Sequence, residues 1–166
     1  MPDHSTVFGS IDDFTKGTIE IIDDNPRNYV FSNIFEVAAS AAPYERIAVG
    51  KNFEYVIEAI RAEGTSPWYS CAHDEFALAM DHPVEVHLVK LAAPEKHVPP
   101  GSEGAHRLAA DPDGRRMGRI VLGRGHMALL PSGAAYRFQA DRASTLMIQS
   151  IQGPETVERW ARICLS

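Results

Sequence analysis

The sequence predicts an all-β jelly-roll barrel, and three observations carry that reading. Short apolar runs of strand length alternate with Gly- and Pro-rich turns through most of the second two thirds of the chain. Gly125, Pro131 and Gly133 stand as backbone devices around one such run, His126-Met-Ala-Leu-Leu130. The chain has 166 residues, 45% hydrophobic and 23% charged, which suits one domain with a real core.

Composition also excludes. The net charge of -6 opposes nonspecific binding to nucleic acid or to an anionic membrane surface. The dense basic spot is Arg115, Arg116, Arg119 and Arg124, which reads as a solvated face, an interface patch or a site for an anionic product. Cys71 and Cys164, without a signal-peptide pattern at Met1-Pro-Asp-His-Ser5, read as reduced thiols. No apolar run is long enough to span a bilayer, so a cytoplasmic protein is expected.

In order, residues 1–50 read as an N-terminal arm, 51–152 as the barrel and 153–166 as a C-terminal helix. In the arm, Thr18 to Ile22 is a strand or a docked segment, and Asp23-Asp-Asn-Pro26 is a turn. Asn33-x-x-Glu36 resembles a capping box that opens a short helix ended by Pro43. An arm this apolar has to bury its side chains on its own barrel or on a partner. Phe53 to Gly64 leans towards helix by periodicity, yet Phe53, Tyr55, Ile57 and Ala59 also alternate; a strand is expected because the stop at Gly64 and the following Thr-Ser-Pro-Trp68 resemble the strand that leads into the ligand motif of a metal-binding barrel. Phe76 to Met80 reads as a buried strand and Asp81-His-Pro83 as a turn. Val84 to Lys90 reads as its hairpin partner. Residues 92–118 are rich in Pro and Gly and read as a long loop that covers a pocket mouth or clasps a neighbour. Arg119–Leu122, His126–Leu130, Ala135–Phe138 and Leu146–Ile151 read as strands. Pro154, Val157, Trp160, Ala161 and Cys164 read as one helix with an apolar face.

The chemistry concentrates in Pro67 to Glu75. A metal-binding cupin barrel presents His-x-His, three or four residues, Glu, then six residues and Gly. With Glu75 as that Glu, Tyr69 and Cys71 stand at the two His positions, and His82 stands where the Gly would be. The second cupin motif is Gly, five residues, Pro-x-Gly, two residues, His. It survives as Gly125, Pro131 and Gly133, but Tyr136 stands at the His position. The sequence therefore resembles a cupin, a double-stranded β-helix, with its metal ligands replaced. Phenols bind Fe(II) poorly because they must first lose a proton near pKa 10. One thiolate with one carboxylate is not a persuasive site either.

Asn25-Pro-Arg-Asn-Tyr-Val-Phe-Ser-Asn33, Arg61-Ala-Glu-Gly-Thr-Ser-Pro-Trp68, Cys71-Ala-His-Asp-Glu-Phe76 and Gly125-His-Met-Ala-Leu-Leu-Pro131 narrow the resemblance. They are similar to the small subunit of two-subunit hydroquinone 1,2-dioxygenases. The resemblance implies a degenerate cupin that supports a larger cupin-type catalytic subunit, two of each chain. It implies that Fe(II) sits on the large subunit, held by two His and a carboxylate. There O₂ opens hydroquinone, an aromatic small molecule, to 4-hydroxymuconic semialdehyde.

Within that frame no catalytic residue and no metal is expected on this chain. Trp68, His73 and Glu75 are candidates for a substrate pocket or an interface. Trp68 sits at the barrel mouth by analogy, where it stacks on a phenol or simply packs. Tyr69, Cys71 and Tyr136 are expected to fill the vacated ligand positions, with Tyr136 bonded to Glu75 or to backbone. Two other readings stay open. One is a free-standing cupin that binds a small molecule, or a metal through His73 and Glu75 with His87 or His126. The other is a regulatory scaffold without a catalytic partner.

Overall fold

Strand alternation in this chain buries charged residues along with apolar ones, and that places the centre of the barrel. The computed structural model describes residues 10–13, 22–23 and 33–159. Helix α1 (Ile34–Ser40) is followed by strands β1 (Arg46–Lys51), β2 (Tyr55–Thr65), β3 (Tyr69–Ser70), β4 (Glu75–Ala79) and β5 (Val84–Leu91). Then come β6 (His106–Arg107), β7 (Gly114–Leu122), β8 (Met127–Leu130), β9 (Ala134–Ile151) and β10 (Thr156–Val157).

Strand β9 organises the barrel. Its first part pairs antiparallel with β3 on one side and β5 on the other, so Tyr136 stands between Tyr69 and Leu88. Its last part pairs with β2 and β4, so Ile148 stands between Glu58 and Ala77. One curled sheet results, with β1 and β10 beyond β2, β8 beyond β4 and β7 beyond β5. The all-β cupin-type barrel expected from sequence is the fold observed.

Helix α1 begins as anticipated: the Asn33 side chain accepts from Phe35 N at 2.9 Å and supplies the N-cap. Its Val37 packs with Ala41, Ile47 and Ala59 over the outer face of β1 and β2. With Ile47 facing out under the helix, alternation turns Arg46 and Ala48 into the barrel.

Several boundaries differ from the sequence reading. The barrel begins at Arg46, inside the stretch assigned to the arm, because β1 closes one side of β2. On β2 the core face is Val56, Glu58, Ile60 and Ala62, while Tyr55 and Ile57 face out. Strand β4 is not buried throughout; Glu75, Ala77 and Ala79 point in, whereas Phe76 is exposed. The long loop ends before Gly114, and Gly114–Gly118 continue strand β7 against β5. Gly114 is required there, since a Cβ would stand 2.0 Å from the Lys90 carbonyl oxygen. Ala135–Phe138 and Leu146–Ile151 belong to one strand, since the polar segment between them still pairs with β2.

At the C-terminal end, residues 153–159 form a turn and strand β10 where a helix was expected. Thr156 N donates to Gly153 O, and Gly153 N donates back to Thr156 Oγ1, which sets up pairing with β1. Trp160, Ala161 and Cys164 lie outside the described residues, as does the arm run from Thr18, except for exposed Ile22. The arm touches the barrel at Ile11, which is buried and donates its N–H to Asp81.

Candidate functional site

The barrel centre collects one cation, two carboxylates, two phenols and a thiol. Arg46 enters from β1, Glu58 from β2, Tyr69 from β3, Glu75 from β4 and Tyr136 from β9, with Cys71 just past β3. All six are buried, and Arg46 is only 3% exposed. The guanidinium uses its fork on three partners: Nε donates to Glu58 at 2.6 Å, one terminal nitrogen to Glu75 at 2.7 Å, the other to the Tyr136 hydroxyl at 2.9 Å. The Tyr136 hydroxyl in turn donates to the second Glu75 oxygen. Thr156 Oγ1 donates to the free oxygen of Glu58 at 2.7 Å. The Tyr69 ring lies 5.7 Å from the guanidinium carbon, within cation–π range.

Charge pairing sets the protonation states. Burial by itself raises the Glu75 pKa. The Arg46 guanidinium and hydrogen bonds from Cys71, Ser150 and Tyr136 outweigh it and hold the carboxyl below its ordinary range. Burial opposes the charge on Arg46 as well, but Glu58, Tyr136 and Glu75 keep it firmly protonated. Burial pushes Tyr136 and Tyr69 up despite the nearby guanidinium. Burial and the Glu75 charge push the Cys71 thiol up as well. Cys71 thus keeps its proton.

These residues do not fit the metal that a cupin fold implies. Glu75 already accepts from Arg46 and Tyr136, the phenols and thiol hold their protons, and a fixed cation lies among them. The alternative ligand set is not assembled either. Gly104 N donates to His73 Nε2 at 3.1 Å, which leaves Nδ1 as the protonated nitrogen facing the Asp74 carbonyl. His73 and Glu75 do not come together: His73 latches the long loop, while Glu75 faces inward. His87 pairs with Glu85, and His126 accepts from Gly123 N in a turn. Among the described residues no group of three or more His, Cys, Asp or Glu side chains is placed to hold a metal ion.

Trp68 lies apart from this centre. It is half-buried beside Val89, Leu91, Leu108 and Ala135, on the face opposite Tyr69 and Cys71. Its Nε1 donates to Asp111 at 3.1 Å, and the Arg137 guanidinium stacks 4.7 Å from its ring centroid. The long loop thus straps its own barrel. β6 pairs with β3, and Gly104 crosses Gly153 so closely that a Cβ on Gly104 would stand 2.4 Å from Gly153 Cα.

Sequence reasoning missed Arg46 and Glu58. The available signal was alternation: Glu58 falls between Val56 and Ile60 on one strand face, and a buried carboxylate there demands a cation.

A cupin-type barrel whose centre is occupied by its own guanidinium defines the class of protein. No protein-family model matches the sequence, and no curated protein matches it. Among solved structures, hydroquinone 1,2-dioxygenase from Sphingomonas sp. TTNP3 with 4-hydroxybenzoate bound has a similar chain, 65% identical over 98% of both chains, with a TM-score of 0.90. Hydroquinone 1,2-dioxygenase PnpCD, in complex with Cd²⁺ and 4-hydroxybenzonitrile, has another, 53% identical over 100% of this chain and 99% of that one, with a TM-score of 0.87. The chain belongs to the hydroquinone 1,2-dioxygenase family. A further chain of PnpCD, in complex with Fe³⁺, shares only the fold, at 11% identity and a TM-score of 0.60 over 84% of this chain and 38% of that one.

Proposed function

We propose that this chain is the small, non-metal-binding subunit of an Fe(II)-dependent hydroquinone 1,2-dioxygenase. The observation that carries the proposal is the barrel centre: a member of this family whose ligand positions are sealed by Arg46, Glu75 and Tyr136 has to leave the metal chemistry to another chain. Fe(II) then sits on a larger cupin-type catalytic subunit, two large chains with two small. The reaction adds both atoms of O₂ to hydroquinone and opens the ring to 4-hydroxymuconic semialdehyde, in the cytoplasm. The second PnpCD chain supports the division of labour, being more than twice as long and similar only in fold.

An apolar outer face supports the partner. Ile57, Phe76 and Leu129 are exposed and lie in one row across β2, β4 and β8, with Gln149 of β9 between the first two. Met127 is exposed on the same strand as Leu129. Exposed apolar side chains gathered on one sheet face in this way are a usual mark of a protein contact.

Two measurements test the reading. The isolated chain, loaded anaerobically with Fe(II), is expected to consume no O₂ when hydroquinone is added. Co-expression with a larger cupin chain is expected to give a stable complex with iron on the large chain; turnover by the small chain alone overturns the proposal. Trp68, fixed by Asp111 and Arg137, offers a rigid ring edge for an aromatic substrate. Trp68→Ala is expected to raise the hydroquinone KM of the complex about three- to tenfold without dissociating it. Unchanged kinetics in an intact complex would remove Trp68 from the pocket.

A further inference from the structure

We infer that Arg46 is a built-in replacement for the metal ion of the cupin barrel: a tethered cation on which the residues at the former ligand positions converge. The placement comes first. Glu75 occupies the motif's carboxylate position and Tyr136 its last His position, and both bond the guanidinium directly. Cys71, at another His position, is buried in the same core cluster as Tyr69 and Tyr136. Tyr69, at the remaining one, lays its ring against the guanidinium. Three of the four inherited positions therefore bear directly on one cation, as ligands face a metal.

The cation reaches this point from β1, a strand outside both cupin motifs. It brings its own counter-charge: Glu58, from the neighbouring strand, accepts a hydrogen bond from Nε–H and is held from behind by Thr156 of β10. A guanidinium suits the task better than an ammonium, because its planar fork serves three acceptors in fixed directions and stays charged when desolvated. A divalent ion cannot enter beside it without displacing a tethered positive charge and stripping Glu75 of its bonds from Arg46 and Tyr136. The barrel thereby folds independently of metal supply. The inference concerns this chain's own centre and holds whether or not the chain serves as a small subunit.

The test uses the full-length chain. Arg46→Ala leaves Glu58 and Glu75 facing each other without a counter-ion, and the Tm is expected to fall on the order of 10 °C. Guanidinium chloride at about 20 mM, far below denaturing levels, is expected to restore part of that loss by occupying the vacated place. Equal concentrations of NaCl or methylammonium chloride are not. Should Arg46→Ala not fold, the neutral variant Arg46→Met/Glu58→Gln/Glu75→Gln decides: recovery of a folded, metal-free chain supports charge replacement, and failure to recover refutes it. A wild-type Tm in Arg46→Ala, or rescue by NaCl equal to that by guanidinium, also overturns the inference. So does stoichiometric Mn(II) or Fe(II) held by the wild-type chain at Glu75.

Discussion

Glu75→Ala is expected to remove about 3–5 kcal/mol of stability, because it leaves a buried guanidinium with one carboxylate instead of two. The loss has three parts. Arg46 keeps Glu58 but loses its 2.7 Å bond to Glu75. The Tyr136 hydroxyl loses its acceptor while remaining fully enclosed. A cavity opens between β4 and β9 that Ala77 and Ile148 cannot close without moving the sheet. Glu75→Gln separates charge from shape. It keeps the volume and one carbonyl acceptor, so roughly half the effect is expected. Equilibrium urea unfolding of the three proteins measures the difference, and a Glu75→Ala chain as stable as wild type would show that the network carries no stability.

The same carboxylate sets an acid limit. The Glu75 pKa in the folded chain lies below its unfolded value, so at acid pH the unfolded chain binds the extra proton. Its contribution is complete above the ordinary carboxylate range and is lost as pH falls through the lowered value. Wild-type Tm should therefore hold steady from neutral pH down to about 5 and then decline. Glu75→Gln should decline less steeply over that acid window, having one fewer carboxylate to protonate.

This centre shows which parts of the sequence were legible. Glu75, Tyr69, Cys71 and Tyr136 were found because motif spacing indexes them, and all four lie at the barrel centre. Arg46 was invisible because it lies before both motifs, and an isolated Arg near a Pro-bounded helix reads as surface. Glu58 obscures the strand face: Phe53, Tyr55, Ile57 and Ala59 alternate as one apolar set, while the inner side carries a carboxylate. Only Ala59 among them is buried, and that under α1. Ionic pairing inside and apolar residues outside invert the pattern on which alternation depends. The same inversion made Phe76 look buried. Pro and Gly likewise concealed the start of β7 at Gly114, where close approach to Lys90, not a turn, selects glycine.

Asp81 carries the second large expectation, since its carboxylate joins four donors from three parts of the chain. Oδ1 accepts from His82 N at 2.6 Å, Ser144 Oγ at 2.7 Å and Thr145 N at 2.9 Å, and Oδ2 accepts from Ile11 N at 3.2 Å. Burial alone raises its pKa; the bonds from Ser144, Thr145, His82 and Ile11 reverse that and lower it. In the sequence Asp81-His-Pro83 is only a turn; the fold makes it the joint between the β4–β5 connection, the middle of β9 and the N-terminal arm. Asp81→Ala leaves the Thr145 N–H buried without an acceptor, while Ser144 Oγ keeps the His82 carbonyl. A loss of about 2–4 kcal/mol is expected in urea unfolding. Asp81→Asn divides the joint in two. The amide oxygen at Oδ1 still serves β9, but the amide nitrogen at Oδ2 meets the Ile11 N–H donor to donor. Hydrogen exchange at Ile11 should then accelerate at least tenfold while the β9 amides stay protected, whereas equal exchange at Ile11 in both proteins would mean that Asp81 does not fasten the arm.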